Sequence, residues 1–173
     1  MAVGKDVKGF GMPWEEQYGY AQAVKVDDTI YVSGQLSHDD QGNIVSPAPL
    51  DDRGKIRDHA NMEAQMRQTY VNAKKILNQF GATLDNVVEE VLYVTDMETA
   101  FAAAGPVRKE AYGSRRPAVA STKAPSQFDV TYLALFAACL TQSNTRWFFR
   151  SFSRLPAPLG TTSTSSFGAL SIV

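Results

Sequence analysis

The sequence predicts an α+β fold, a single sheet with two helices packed on one face. Three observations predict it. Strand-like and helix-like stretches follow one another as strand, strand, helix, strand, helix, strand, strand. The first helical stretch carries apolar residues at three-to-four spacing, the mark of a helix buried on one side. At 173 residues and 44% hydrophobic content, the chain suffices for one domain with a real core and is short for two. Two strand–helix units place both helices on the same side of the sheet. The other sheet face is then half apolar and needs a cover, most simply copies of the same chain.

The elements follow in order. Residues 1–17 are polar and glycine-rich and read as a loose arm. Residues 20–26 alternate in part and read as a strand. Asp27-Asp28 is a turn pair, and the β-branched and aromatic residues 29–33 complete a hairpin that Gly34 stops. Residues 35–57, with Gly42, Pro47, Pro49 and Gly54, form a loop too long for a simple connection. A helix is predicted from Asp58, its N-cap, to Gly81, with Met62, Met66, Tyr70, Ala73, Ile76, Leu77 and Phe80 as its buried stripe. Residues 83–86 make a turn, and 87–95 are the clearest strand of the chain. In that strand Glu89 and Glu90 are neighbours and point to opposite faces, one exposed and the other at an interface. Residues 97–112 predict a second helix with Phe101, Ala104, Val107, Arg108 and Ala111 near one face. Pro106 within it requires a helix start or a kink. Residues 118–122 and 128–140 supply the last two strands.

The domain is therefore expected to span 18–140, with 141–173 as an extension of different character. After Asp129 no acidic residue occurs, serine and threonine are abundant, and Trp147, Phe148 and Phe149 form an aromatic knot. Three readings stand: a disordered or loosely docked tail, an ordered arm on a neighbouring subunit, or a reading frame altered near Thr122.

Composition excludes several function classes. The net charge of −1 gives no electrostatic footprint for nucleic acid. Residues 1–11 contain Lys5 and Lys8 but no apolar stretch of a secretory signal. No run approaches the ~18 apolar residues of a membrane span. The single cysteine, Cys139, forms no internal disulfide, so a reducing, cytoplasmic setting is expected. It sits in an apolar run, as an inert core thiol does. His38 and His59 are too few and too scattered for a metal site and read as surface residues. Arg115-Arg116 before Pro117 reads either as a solvated turn or as a bidentate site for a carboxylate.

Four short motifs then resemble one family. Ile30-Tyr31-Val32-Ser33-Gly34-Gln35 is similar to its strand ending in Ser-Gly-Gln. The run from Gly81 through Thr83, Leu84, Asp85 and Asn86 to Val88 is similar to its helix-ending glycine and turn. Val94-Thr95-Asp96-Met97 resembles the step into its second helix, and Arg116-Pro117-Ala118 its Arg-Pro-Ala step into the next strand. In this order and spacing, over residues 18–122, the chain resembles the RidA (YjgF/YER057c/UK114) family. The resemblance implies a chorismate-mutase-like sheet and a homotrimer with three clefts between subunits. It also implies hydrolysis of reactive enamines and imines to keto compounds and ammonia, without metal or cofactor. The alternative is a non-catalytic trimer that holds a small molecule in the same clefts.

The resemblance assigns ligand-binding positions to Tyr20, Ser33 and Gly34. It also points to two departures. Val119 stands where the family carries a carboxylate-binding arginine, and Gly105 stands where it carries an asparagine. The family's glutamate on the last strand finds no acidic counterpart after Asp129. An apolar cleft would make carboxylate-bearing imines poor substrates. Arg116 or Arg115 would restore the cation only by turning into the cleft.

Overall fold

The computed structural model describes residues 4–123 and 134–140 of the chain. It runs β1 (Asp6–Lys8), α1 (Pro13–Tyr18), β2 (Ala23–Val26), β3 (Thr29–Val32), α2 (Met62–Asn78), β4 (Val87–Val94), α3 (Met97–Tyr112), β5 (Ala118–Lys123) and β6 (Ala134–Leu140). The six strands form one sheet in the order β1-β2-β3-β6-β4-β5. Both long helices lie against one face, so the α+β expectation holds.

The β2–β3 hairpin pairs Val26 with Thr29, leaving Asp27-Asp28 as its two-residue turn. Asp27 takes φ +50°, a region that aspartate tolerates better than most side chains. β4, α3 and β5 form a parallel crossover, with Glu90 beside Val119 and Leu92 beside Ser121. β6 is antiparallel to both β3 and β4 and fills the gap between them. The predicted last strand thus becomes a central one, of which 134–140 are described and 128–133 are not. The tail 141–173, with its three readings, also lies outside the described residues.

The core lies between the sheet and the helices. From α2 come Met62, Met66, Tyr70, Ala73, Ile76 and Leu77, the predicted stripe. From the sheet come Ile30, Val32, Leu92 and Val94. Each large apolar side chain so buried contributes about 1.5–3 kcal/mol. α3 turns Ala100, Ala103, Ala104 and Val107 inward. Phe101, placed by the sequence on that face, is instead 64% exposed, because the alanines occupy the inward positions. The helix runs through Pro106 as one element and is capped by Asp96, which accepts the Thr99 N–H at 2.9 Å.

α2 begins at Met62, later than expected. Asp58 accepts the Ala60 N–H at 3.1 Å and so shapes a turn before the helix rather than capping it. Gly81 follows the helix with φ +71°, as its role there requires. Thr83 and Asn86 cap a single 3-10 turn, Leu84–Asn86, before β4.

Residues 4–17 of the arm are structured. Its β1 adds an edge strand to β2, with Val7 opposite Val24. Phe10 and Trp14 set their rings edge-on to His38, at 5.7 and 5.3 Å between centroids. His38 is consequently buried rather than on the surface. Gly42 closes this contact: its φ is +86°, and a Cβ there would lie 2.7 Å from the Trp14 ring.

The long loop is also regular. It contains two turns of one design, with bridges His38–Ile44 and Leu50–Ile56. In each, an aspartate accepts the N–H groups two and four residues ahead. Asp39 takes those of Gln41 and Asn43, and Asp51 those of Arg53 and Lys55, all at 2.8–2.9 Å. These bonds hold both carboxyl pKa values below the ordinary range.

Candidate functional site

The six residues singled out from the sequence fall into two groups. Tyr20, Ser33 and Gly34 form the first, at the end of β3. The Ser33 N–H donates to the Gln22 carbonyl at 2.8 Å and its hydroxyl donates to the Ala21 carbonyl at 2.6 Å. Behind them runs a chain of amides that the sequence reading missed. Gln35 Nε2 donates to Gln22 Oε1 (2.9 Å) and to the Ser33 carbonyl (3.0 Å). Gln22 Nε2 donates to Glu15 Oε1 at 2.9 Å and lies 3.4 Å from the Tyr20 hydroxyl. Glu15 also accepts the N–H groups of Phe10 and Gly11. Burial first, and then the charge of Glu15, raise the Tyr20 pKa, so its phenol stays protonated at neutral pH.

Gly105, Arg116 and Val119 form the second group, around a cleft of about 230 Å³ between α3 and the start of β5. Arg108, Lys109, Tyr112 and Pro117 complete its walls. Val119 is 43% exposed here. Three basic side chains, Arg108, Lys109 and Arg116, are among the lining residues. Arg115 is not among them; its Nε lies 3.5 Å from Asp85 Oδ2.

Behind this cleft sits Glu90, fully buried. The sequence placed one of the two strand glutamates at an interface. Glu89 is exposed, and Glu90 faces the helices instead. A bulge at Val88 re-phases β4 so that Val87 and Glu90 share that inner face. The hydroxyls of Tyr70 and Tyr112 both donate to Glu90 Oε2 at 2.7 Å. Arg108 Nε donates to Oε1 at 2.9 Å, and its Nη2 lies 2.8 Å from the same oxygen. Burial opposes the charge of Arg108, but the charge and hydrogen bonds of Glu90, with a contribution from Tyr70, outweigh it. The guanidinium pKa is held above its ordinary value. Burial and then the Glu90 charge push both tyrosine pKa values far upward. Two tyrosines and an arginine at inward helix positions were a legible signal for such a partner.

The two groups do not meet in one chain. β6 and β4 lie between β3 and β5, which is three strand spacings, roughly 14 Å. Among the described residues no cluster of three or more His, Cys, Asp or Glu side chains is arranged to hold a metal ion. No helix among them is long and apolar enough to cross a membrane.

Known proteins agree with this architecture. The family model for endoribonuclease L-PSP matches residues 15–133, more than half of the chain. A RutC family protein of Pyrococcus abyssi is 34% identical over 100 residues, which cover 57% of this chain and 68% of the relative. A protein of Dermatophagoides farinae named 2-iminobutanoate/2-iminopropanoate deaminase is 31% identical over 99 residues, 57% of this chain and 67% of its own. Among solved structures, a YjgF/YER057c/UK114 family member from Mycobacterium tuberculosis superposes with a TM-score of 0.61 at 23% identity. That match covers 80% of this chain and all of the other. Sheet order, paired helices and matched segment together make the chain a member of the RidA (YjgF/YER057c/UK114) family, the family of the endoribonuclease L-PSP model.

Proposed function

We propose that the chain is an enamine or imine deaminase acting on a small reactive metabolite, in clefts completed between subunits of a homotrimer. The observation that carries this reading is the separation of the two residue groups. Tyr20 and Ser33 at one end of the sheet, and Gly105, Arg116 and Val119 at the other, make one site only when a second subunit brings its end to the first. Relatives named as imine deaminases support the reaction class. The open sheet face supports the assembly: Tyr31 on it is 46% exposed, and Ala118 and Ala120 lie exposed on the same face. A lone cysteine suits a cytoplasmic setting.

The reaction adds water across the C=N bond. The oxygen bonds to carbon while the imine nitrogen takes a proton. The resulting carbinolamine expels ammonia and leaves a keto group. A protonated Tyr20 phenol is a donor for the nitrogen, and the Ser33 oxygen is an acceptor for water. Glu90 is not available as a base, because two tyrosines and Arg108 already occupy both of its oxygens.

The test couples the purified protein to a pyridoxal-phosphate enzyme that generates 2-aminoacrylate, with ammonia release as the readout. A parallel reaction uses an imine without a carboxylate. Acceleration of either, lost in Tyr20→Phe, supports the reading. Binding of a small molecule with no acceleration of either moves the protein to a non-catalytic binding role. Light scattering checks the trimer, which Tyr31→Asp is expected to dissociate.

A further inference from the structure

We propose that Glu15, Gln22 and Gln35 are positioning residues: a hydrogen-bond relay with one fixed direction, which presents the Tyr20 phenol to a ligand as a donor and the Ser33 oxygen as an acceptor. Its catalytic meaning rests on the deaminase reading above. The direction itself rests on hydrogen bonds within the chain.

Both ends of the relay only accept. Glu15 is a carboxylate whose Oε1 takes the Phe10 N–H at 3.0 Å and whose Oε2 takes the Gly11 N–H at 3.1 Å. The Ser33 carbonyl is the other end. Two amides strung between such ends have one way round. Gln22 turns Nε2 to Glu15 at 2.9 Å and therefore Oε1 to Gln35. Gln35 Nε2 meets that oxygen at 2.9 Å and reaches the Ser33 carbonyl at 3.0 Å. Both glutamines are buried, so bulk water does not substitute as a partner.

This order leaves Gln35 Oε1 buried with no donor among the described residues. Such a group costs about 1–3 kcal/mol. Turning the Gln35 amide over gives no relief, because its oxygen would then face Gln22 Oε1 and the Ser33 carbonyl. The unpaired oxygen thus marks a direction imposed by its neighbours.

The same order decides what Tyr20 and Ser33 offer. The Gln22 Nε2 that faces Glu15 also donates to the Tyr20 oxygen, 3.4 Å away. Trp14, whose indole N–H donates and cannot accept, acts on the phenol in the same sense. The oxygen receives hydrogen bonds from the chain, and its own proton points away from the relay, to the exposed side of Tyr20. Ser33 has the reverse polarity. Its one hydroxyl proton is committed to the Ala21 carbonyl at 2.6 Å, so toward a ligand its oxygen only accepts. A neutral C=N nitrogen and an attacking water match this pair. An ammonium group has no lone pair and meets Tyr20 donor against donor.

The test exchanges two members of the relay. The double variant Glu15→Gln, Gln22→Glu keeps composition and net charge. It sets a carboxylate oxygen where the Gln22 amide N–H faced Tyr20, so the phenol turns inward to donate. Raman spectra, each taken as a difference against the same protein with Tyr20→Phe, isolate the Tyr20 Fermi doublet. Its intensity ratio falls as a phenol changes from acceptor to donor. The ratio is expected to fall in the double variant, and kcat for deamination to fall about a hundredfold with KM within about a factor of two. A relay that only supported the fold would be restored by the exchange. Gln22→Met, which keeps the side-chain length and removes the donor, is expected to lower the ratio as well and serves where the exchange unfolds the chain. An unchanged ratio in the folded variants, or full kcat in the double variant, overturns the proposal. A fall in the ratio with no deamination by the parent protein removes the deaminase reading and leaves the relay.

Discussion

Both ends of the sheet are organised around a glutamate, and the two are held in opposite ways. Glu15 is satisfied by neutral groups: two backbone N–H groups and the Gln22 amide. It is only half-buried, so solvent shares the work. Glu90 is fully buried and is met by a formal positive charge as well as two phenols. Removing a partner from a half-buried carboxylate exposes it to water. Removing the carboxylate from the Arg108 pair leaves a partly buried charge without its partner. The lesson is that the same residue type is a modest tether at the arm and a structural keystone beneath the cleft.

Glu90→Leu therefore gives the largest effect. Breaking a buried pair by deleting one member costs about 3–5 kcal/mol, read as a lowered urea midpoint. The double variant Glu90→Leu, Arg108→Met is expected to recover the part of that loss due to the unpaired charge, while the Tyr70 and Tyr112 hydroxyls, left without their acceptor, keep the rest. Failure of the second change to rescue the first breaks the comparison.

Glu15→Ala comes next, at about 1–2 kcal/mol for the donors it leaves half-buried. Glu15→Gln sharpens the point: with the neighbouring charge removed, the Tyr20 pKa falls toward its ordinary value, which ultraviolet titration reports. An unmoved tyrosine would mean that burial alone raises it.

Gly105→Ala acts in the other direction. A helix interior gains roughly 0.5–1 kcal/mol from alanine over glycine, and the open space around Gly105 accepts the methyl group. The expected result is a higher melting temperature with a smaller cleft.

The alkaline limit separates the ends without mutation. Tyr70 and Tyr112 have folded-state pKa values raised above the unfolded value. Their contribution is complete below the ordinary tyrosine pKa of about 10 and is lost as pH rises above it. Unfolding above that pH is expected to track their ionisation, to weaken in Tyr70→Phe, and to disappear as a distinct step only in the double variant Tyr70→Phe, Tyr112→Phe. The exposed turns respond at the opposite limit. Asp39 and Asp51 have lowered pKa values, so their support is present above the unfolded value near 4 and fades as pH falls.

Much of the fold was legible because its signals are local. The stripe of α2, the Asp27-Asp28 turn and the alternation of β4 each reside within a few adjacent residues. What escaped was non-local or too short to show a period. A three-residue edge strand such as β1 has no readable alternation; its partner β2 defines it. His38 looked solvent-facing because nothing nearby in sequence announces Phe10 and Trp14. The paired turns at Asp39 and Asp51 were visible as repeated Asp-Asp-x-Gly, yet their flanking prolines suggested irregularity. Val119 and Arg116, singled out from the sequence, both line the cleft between α3 and β5. The cations of α3 were missed because Arg108 was counted only as a member of a helix face. Its meaning comes from Glu90, which a bulge at Val88 turns toward it.

The position of β6 carries a consequence for the birth of the protein. Thr29 is matched with Leu140, so the middle of the sheet stays vacant while most of the domain is being synthesised. Until that gap closes, β3 and β4 present bare backbone edges to the surroundings, and closure waits on distant partners and is correspondingly slow. A nascent chain of this design depends on its ribosomal and chaperone environment for longer than a hairpin-first neighbour of equal size.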